Sequence, residues 1–132
     1  MMTSEANRAG LEGLRFIVVE DEPLVARAIV RMLERSECNV LGPFASTANT
    51  FEALARGEEF DGALLDINLG NELVYPLAEA MRKEGRPFAF LTGYSRSAIR
   101  EDFRDRPMLE KPFSSAELLQ FLSRTFAKKE ER

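Results

Sequence analysis

Apolar runs in this chain repeatedly end in groups that can do chemistry. Phe16-Ile17-Val18-Val19 leads into Glu20-Asp21-Glu22, Ala63-Leu64-Leu65 into Asp66, Phe88-Ala89-Phe90-Leu91 into Thr92-Gly93, and Met108-Leu109 into Glu110-Lys111-Pro112. A single acidic pair before a helix is ordinary, because negative charge is favoured at a helix N-terminus. An ionised carboxylate directly behind a run that reads as a fully buried strand is costly unless it is paired, coordinated or reached by solvent. Several such endings in register therefore ask for a common purpose.

The residue types narrow that purpose. Two carboxylates ~4 Å apart repel by ~4 kcal/mol at an effective dielectric of about 20, so Glu20, Asp21 and Asp66 can gather only around something that neutralises them. A divalent cation does so. Magnesium takes hard oxygen ligands and keeps several waters, which two or three carboxylates, a backbone carbonyl such as that of Asn68, and solvent would satisfy. Lys111 adds a mobile positive charge and Thr92 a hydroxyl donor. An oxygen nucleophile, a metal beside it and donors for equatorial oxygens are the parts of a phosphoryl acceptor.

Composition closes other routes. The chain has no histidine, which removes Ser-His-Asp catalysis, His-ligated transition metals and phosphohistidine chemistry on this chain. Its one cysteine, Cys38, cannot form an internal disulfide and reads as a small strand residue. A net charge of −4 without a basic block argues against nucleic acid as a partner. No apolar run approaches the ~18 residues of a membrane span, and the polar opening MMTSEANRAGLEG lacks the core of a signal peptide, so a cytoplasmic protein is expected. The Met1 start favours a free-standing product over an excised part of a larger kinase.

The elements that must position these groups are legible from periodicity. At 132 residues the chain is one domain, which buries about two thirds of its unfolded surface. Strand-like runs cover residues 16–20, 38–42, 63–66, 88–92 and 107–111. Val25, Ile29, Met32 and Leu33 repeat at helical spacing after Pro23, predicting a helix over 23–35. Ser46 caps a second helix carrying Phe51, Leu54 and Ala55 and ending before Gly57. A third starts near Tyr75, since Pro76 suits only a first turn, with Leu77, Ala80 and Met81 inward. The box Ser114-Ser115-Ala116-Glu117 opens a last helix with Leu118, Leu119, Leu122 and Phe126 on one face and Phe121 at the core margin. Alternating strands and helices imply right-handed crossovers and a doubly wound α/β sheet. In such a sheet ligands bind beyond the carboxyl ends of the strands, where the groups above lie.

In that order and at those positions, the residues resemble the receiver domain of two-component response regulators over residues 14–127, with 1–13 a flexible N-terminal segment and 128–132 a tail. The resemblance implies a five-stranded flavodoxin-like (βα)5 fold. It makes Asp66 the phospho-acceptor, and Glu20, Asp21, Asp66 and the carbonyl of Asn68 the Mg²⁺ ligands. Thr92 becomes the switch hydroxyl, and Lys111, before Pro112-Phe113, the lysine whose following peptide bond is usually cis in the family. The run RPFAFLTGYS (86–95) and the run DINLGNELVYP are similar to the PFxFATGY subgroup, often single-domain and found beside HWE-type sensor kinases, with Leu91 where that pattern has alanine. The implied partner is a sensor histidine kinase or phosphotransfer protein, with an unknown downstream protein and no nucleic acid or membrane.

Three departures from the general receiver pattern stand out. Glu20 replaces an aspartate, adding one methylene to a metal ligand. The 18 residues between Thr92 and Lys111 are few, and with Ile99 and Phe103 as their main apolar content they predict a short or frayed fourth helix whose ordering could depend on phosphorylation. Met108 occupies the place of the usual switch aromatic, so Tyr94 is the candidate to take over; an exposed loop tyrosine is the plainer alternative. Two rival functions differ in what they need. A haloacid-dehalogenase-type phosphatase wants a second aspartate where this chain has Asn68, and a phosphorylation-independent interaction module would be expected to lose acceptor or metal ligands.

Overall fold

The computed structural model describes residues 10–127. Five parallel strands, β1 (Arg15–Val19), β2 (Asn39–Phe44), β3 (Gly62–Asp66), β4 (Phe88–Thr92) and β5 (Met108–Glu110), form one sheet in the order β2-β1-β3-β4-β5. Helices α1 (Pro23–Arg35), α2 (Thr47–Ala55), α3 (Tyr75–Lys83) and α4 (Ser115–Phe126) are the four α-helices among the described residues. This is the doubly wound five-stranded α/β architecture expected from the sequence. None of these helices is long and apolar enough to cross a membrane.

The two-residue period of the strands divides the core into two layers. Phe16, Val18, Leu64, Ala89 and Leu91 face α1 and α4, meeting Ile29, Leu33, Leu118 and Leu122. Ile17, Val19, Leu65, Phe88 and Phe90 face the opposite side, where Leu77, Ala78 and Met81 of α3 pack. Strands β3 and β4 are buried at every position, as their unbroken apolar runs require. Gly62 is needed for packing: a Cβ there would lie 2.6 Å from Phe126, whose ring meets Phe16 edge-on at 5.3 Å.

Capping residues fix the helix starts. Glu22 caps α1 and Ser46 caps α2, while Ser114 and Glu117 form the reciprocal capping box of α4. Phe121 is 4% exposed and belongs to the core.

Two inward faces differ from the periodic reading. In α2 the buried side is Thr47, Thr50 and Ala53, whereas Phe51 is 38% exposed and Ala55 is also outside. A nine-residue helix of mostly small side chains leaves the face ambiguous, and tertiary contact chooses it. In α3 the fourth inward position is Ala78, with Ala80 only half-buried.

The crossover between β4 and β5 contains two 3₁₀ turns, Arg96–Ala98 and Glu101–Phe103, and no α-helix. The short or frayed fourth helix expected from sequence is thus reduced to these turns, and the segment is docked without one. Ile99 and Phe103 are fully buried, and Phe103 stacks on Tyr75 at 5.7 Å. Arginines brace the rest. Arg82 lies over the Phe103 ring at 4.2 Å, and Arg100 reaches Glu79 at 2.6 Å and Asp102 at 2.7 Å while its amide donates to the Tyr75 hydroxyl. Arg96 and Arg104 donate to carbonyls of the same segment, including Arg106 and Ile99. Planar guanidinium groups over aromatic faces and on free carbonyls hold this segment as apolar periodicity holds the others.

The flexible N-terminal segment over residues 1–9 and the tail 128–132 expected from sequence lie outside the described residues. Residues 10–13, within the stretch expected to be flexible from sequence, form a turn in which Leu11 is fully buried; the Gly13 amide donates to the Glu37 carbonyl at 2.9 Å. One leucine between two glycines has no period to announce its burial.

Candidate functional site

The chain leaves β1 toward β2 on one side and returns to β3 on the other, so the order reverses between β1 and β3, beside the carboxyl ends of both. Glu20 follows β1 and Asp66 ends β3, and the flush register Val19↔Leu65 and Asp66↔Leu91 brings these ends to one rim. An open cleft of about 490 Å³ lies there, lined by Glu20, Asp21, Asp66, Asn68, Gly70, Tyr94 and Lys111 among others.

Carboxylate oxygens of Glu20, Asp21 and Asp66 lie within 4.8 Å of one another. Glu20 is 3% exposed and Asp66 8%, with Asp21 half-buried. Glu20 is held by its surroundings: Oε1 accepts from Lys111 Nζ at 2.6 Å, Oε2 accepts from the Glu22 amide at 3.2 Å, and its own amide donates to the Phe44 carbonyl at 2.9 Å. Lys111 Nζ also stands 3.5 Å from Asp66 Oδ2. One ammonium thus serves two of three carboxylates, and charge remains to be balanced.

Asp66 carries the imbalance. Burial, then a hydrogen bond to Glu20 and the Glu20 charge, push its carboxyl up to about 7 against the opposing pull of Lys111. The donor set fits a hard divalent cation, since the cluster is all carboxylate oxygen and open to water through the cleft. The carbonyl of Asn68 is free of the adjacent backbone bridge, which uses the carbonyls of Ile67 and Glu72. Gly70, at φ +85°, closes the wall: a Cβ on it would be strained by the left-handed backbone and would stand 3.0 Å from Asp21 Oδ2, which would have to give way by a few tenths of an ångström.

The remaining sequence-selected residues divide. Thr92 is 1% exposed and its Oγ1 accepts from the Tyr94 amide at 2.9 Å, which leaves the hydroxyl proton available to another acceptor. Tyr94 is half-buried and lines the cleft, its hydroxyl accepting from Asn68 Nδ2 at 3.1 Å, so it is not a bare loop tyrosine. Met108 instead packs against the core beside its strand partner Phe90. Lys111 is anchored by its amide on the Thr92 carbonyl at 2.7 Å, and the peptide bond to Pro112 is cis. The site residue least visible in the sequence is Gly70, whose signal is a glycine four residues after the strand-end aspartate.

The family model for the response regulator receiver domain matches residues 16–123. This chain belongs to that family. Receiver domains accept phosphorylation in two-component systems and act as signalling domains rather than conventional enzymes. The sensor protein TorS of Escherichia coli K12 is 32% identical over 96 residues, 73% of this chain and 10% of TorS, so the chain spans about a tenth of that relative's length. The solved structure of SdrG from Sphingomonas melonis Fr1 is similar over 87% of this chain and 96% of its own, at 34% identity and a TM-score of 0.71. PhyR from Brucella abortus matches in fold over 96% of this chain and 53% of its own, at 23% identity and a TM-score of 0.76.

Proposed function

We propose that this receiver accepts a phosphoryl group on Asp66 from a sensor histidine kinase, of HWE type or another, or from a phosphotransfer protein. The observation that carries the reading is the gathering of Glu20, Asp21 and Asp66 oxygens within 4.8 Å, with Lys111 Nζ against Glu20 and Asp66. Glu20, Asp21, Asp66 and the Asn68 carbonyl would hold Mg²⁺, which supplies the positive charge that lets an anionic carboxylate approach an anionic phosphoryl group.

The chain's own residues account for the transfer. An Asp66 oxygen forms the new O–P bond as the donor's N–P bond breaks, and the donor imidazole leaves with its electron pair and takes up a proton. Lys111 exchanges part of its contact with the carboxylates for a phosphoryl oxygen, and the Thr92 hydroxyl donates to another. Tyr94, tied to both Thr92 and Asn68, follows those two residues, and Met108 shifts with β5 behind them. The apolar groove of Leu24, Val25, Met32 and Phe113 borders Lys111 and offers the donor a seat next to the cleft. Output runs through contact with a downstream protein, or the domain drains phosphoryl groups as a sink, in the cytoplasm and without nucleic acid or membrane.

The test is phosphorylation by acetyl phosphate with Mg²⁺, followed by intact mass. One added phosphoryl group in the wild type and none in Asp66→Asn is expected. Equal yield in the variant would remove Asp66 as the acceptor, and many turnovers of a phosphate monoester would point to a phosphatase instead.

A further inference from the structure

The loop between β3 and α3 is held by a carboxylate that reaches outside it. Its ends are joined by an antiparallel bridge between Asn68 and Leu73, with the Val74 amide donating to the Ile67 carbonyl and the Leu69 amide to the Glu72 carbonyl, each at 2.9 Å. The Glu72 side chain then crosses to the start of α2. Its Oε2 accepts the Thr47 amide at 3.0 Å and its Oε1 accepts the Thr47 hydroxyl at 2.7 Å. These two donors hold the Glu72 carboxyl below the usual carboxylate range.

The position explains the contact. Helix α2 has no acidic residue in its first turn, and Ser46 satisfies the Asn49 amide, leaving that of Thr47 for another acceptor. Glu72, 25 residues away in sequence, supplies the negative charge that the helix start favours. Thr47 is 9% exposed, so its donors have little recourse to water.

The loop so held is also a wall of the cleft. Gly70 lies against Asp21, and Asn68 carries the carbonyl that faces no bridge partner. The anchor at Thr47 is fixed in turn, because it follows β2, whose last residue Phe44 accepts the Glu20 amide. Glu72 is therefore the strut between the frame that carries Glu20 and the loop that carries Asn68 and Gly70.

We propose that Glu72 is a positioning residue for the cation site: its two-point hold on Thr47 keeps the β3–α3 loop against Asp21, and divalent-cation affinity depends on that hold although Glu72 lies outside the carboxylate cluster. The inference rests on reading Glu20, Asp21 and Asp66 as a Mg²⁺ site. Positioning of this kind acts through distance, so losing it weakens binding without unfolding the chain.

The experiment is a Mg²⁺ titration of the full chain by NMR, with folding checked in each spectrum. Glu72→Ala should weaken binding about tenfold and Thr47→Val, which keeps every charge and removes only the hydroxyl, about threefold; Thr47→Ser should restore wild-type affinity. In metal-free protein the amides of Leu69 and Val74 should exchange faster in the first two variants and not in the third. Glu72→Ala or Thr47→Val binding within twofold of wild type overturns the proposal; a loss in Glu72→Ala alone would assign the effect to its charge. Asp21→Asn separates the two readings: if it leaves Mg²⁺ binding intact, the cation site itself is misplaced, whereas loss in Asp21→Asn with none in the Glu72 and Thr47 variants removes only the strut.

Discussion

Replacing Asp66 by asparagine should make the metal-free receiver more stable at pH 8. In the folded chain the Asp66 carboxyl is pushed up to about 7 from 3.8, chiefly by burial and then by Glu20. A raised carboxylate favours folding only in its protonated form. Below pH ~4 both states are protonated and this stability is fully present; as pH rises toward 7 the unfolded chain ionises first, and the stability is lost. A rise from 3.8 to about 7 corresponds to ~4 kcal/mol, and solvent reaching the cleft halves that to ~2 kcal/mol at pH 8. Asparagine keeps the shape and never ionises, so it escapes that cost. Urea unfolding in EDTA, followed by circular dichroism, should place the Asp66→Asn midpoint ~1 M above wild type at pH 8 for a slope of ~2 kcal/mol/M. The gap should shrink to less than half at pH 5. With Mg²⁺ at a hundredfold excess over its dissociation constant, wild type gains ~2.7 kcal/mol that the variant cannot match, and the order narrows or reverses. A variant no more stable than wild type at pH 8, or a gap that ignores pH, would refute the account of Asp66 as a carboxylate held against its solvation.

Three further substitutions probe the parts that position the site. Phe103→Ala should cost ~3–5 kcal/mol in the same urea assay and loosen the β4–β5 crossover, because Phe103 is fully buried among Tyr75, Phe88 and Phe90. Gly70→Ala should destabilise by ~1 kcal/mol or more and weaken Mg²⁺ binding by NMR titration, since the new methyl meets Asp21 at 3.0 Å from a left-handed backbone. Ser114→Ala should cost ~1 kcal/mol through loss of the α4 capping box while leaving Mg²⁺ affinity unchanged.

The boundaries of α1 and α2, the start of α3 and the capping box of α4 were legible because prolines, serines and glycines act over a few neighbouring residues, whose meaning needs no distant partner. The acidic, hydroxyl and lysine endings of the strands were legible for a related reason: parallel strands in one sheet end on the same side, so sequence position after each run already sets the rim. The faces of α2 and the docking of the fourth crossover were not. Phe51 is apolar yet outside, while Arg82, Arg96, Arg100 and Arg104 are charged yet hold a segment in place, and hydropathy assigns both the opposite roles.

What the sequence by itself determined is which groups this protein has at its strand ends, and hence the chemistry open to it: carboxylates, a hydroxyl and a lysine, with no histidine to compete. Only the tertiary structure decided their partners. Lys111 finds Glu20 at 2.6 Å across 91 residues and Glu72 finds Thr47 across 25, contacts that depend on strand order and register rather than on any local pattern. A charge costs little in an unfolded chain and much in a shared cleft, so Asp66 acquires its raised affinity for a proton only when the fold buries it and then sets Glu20 beside it.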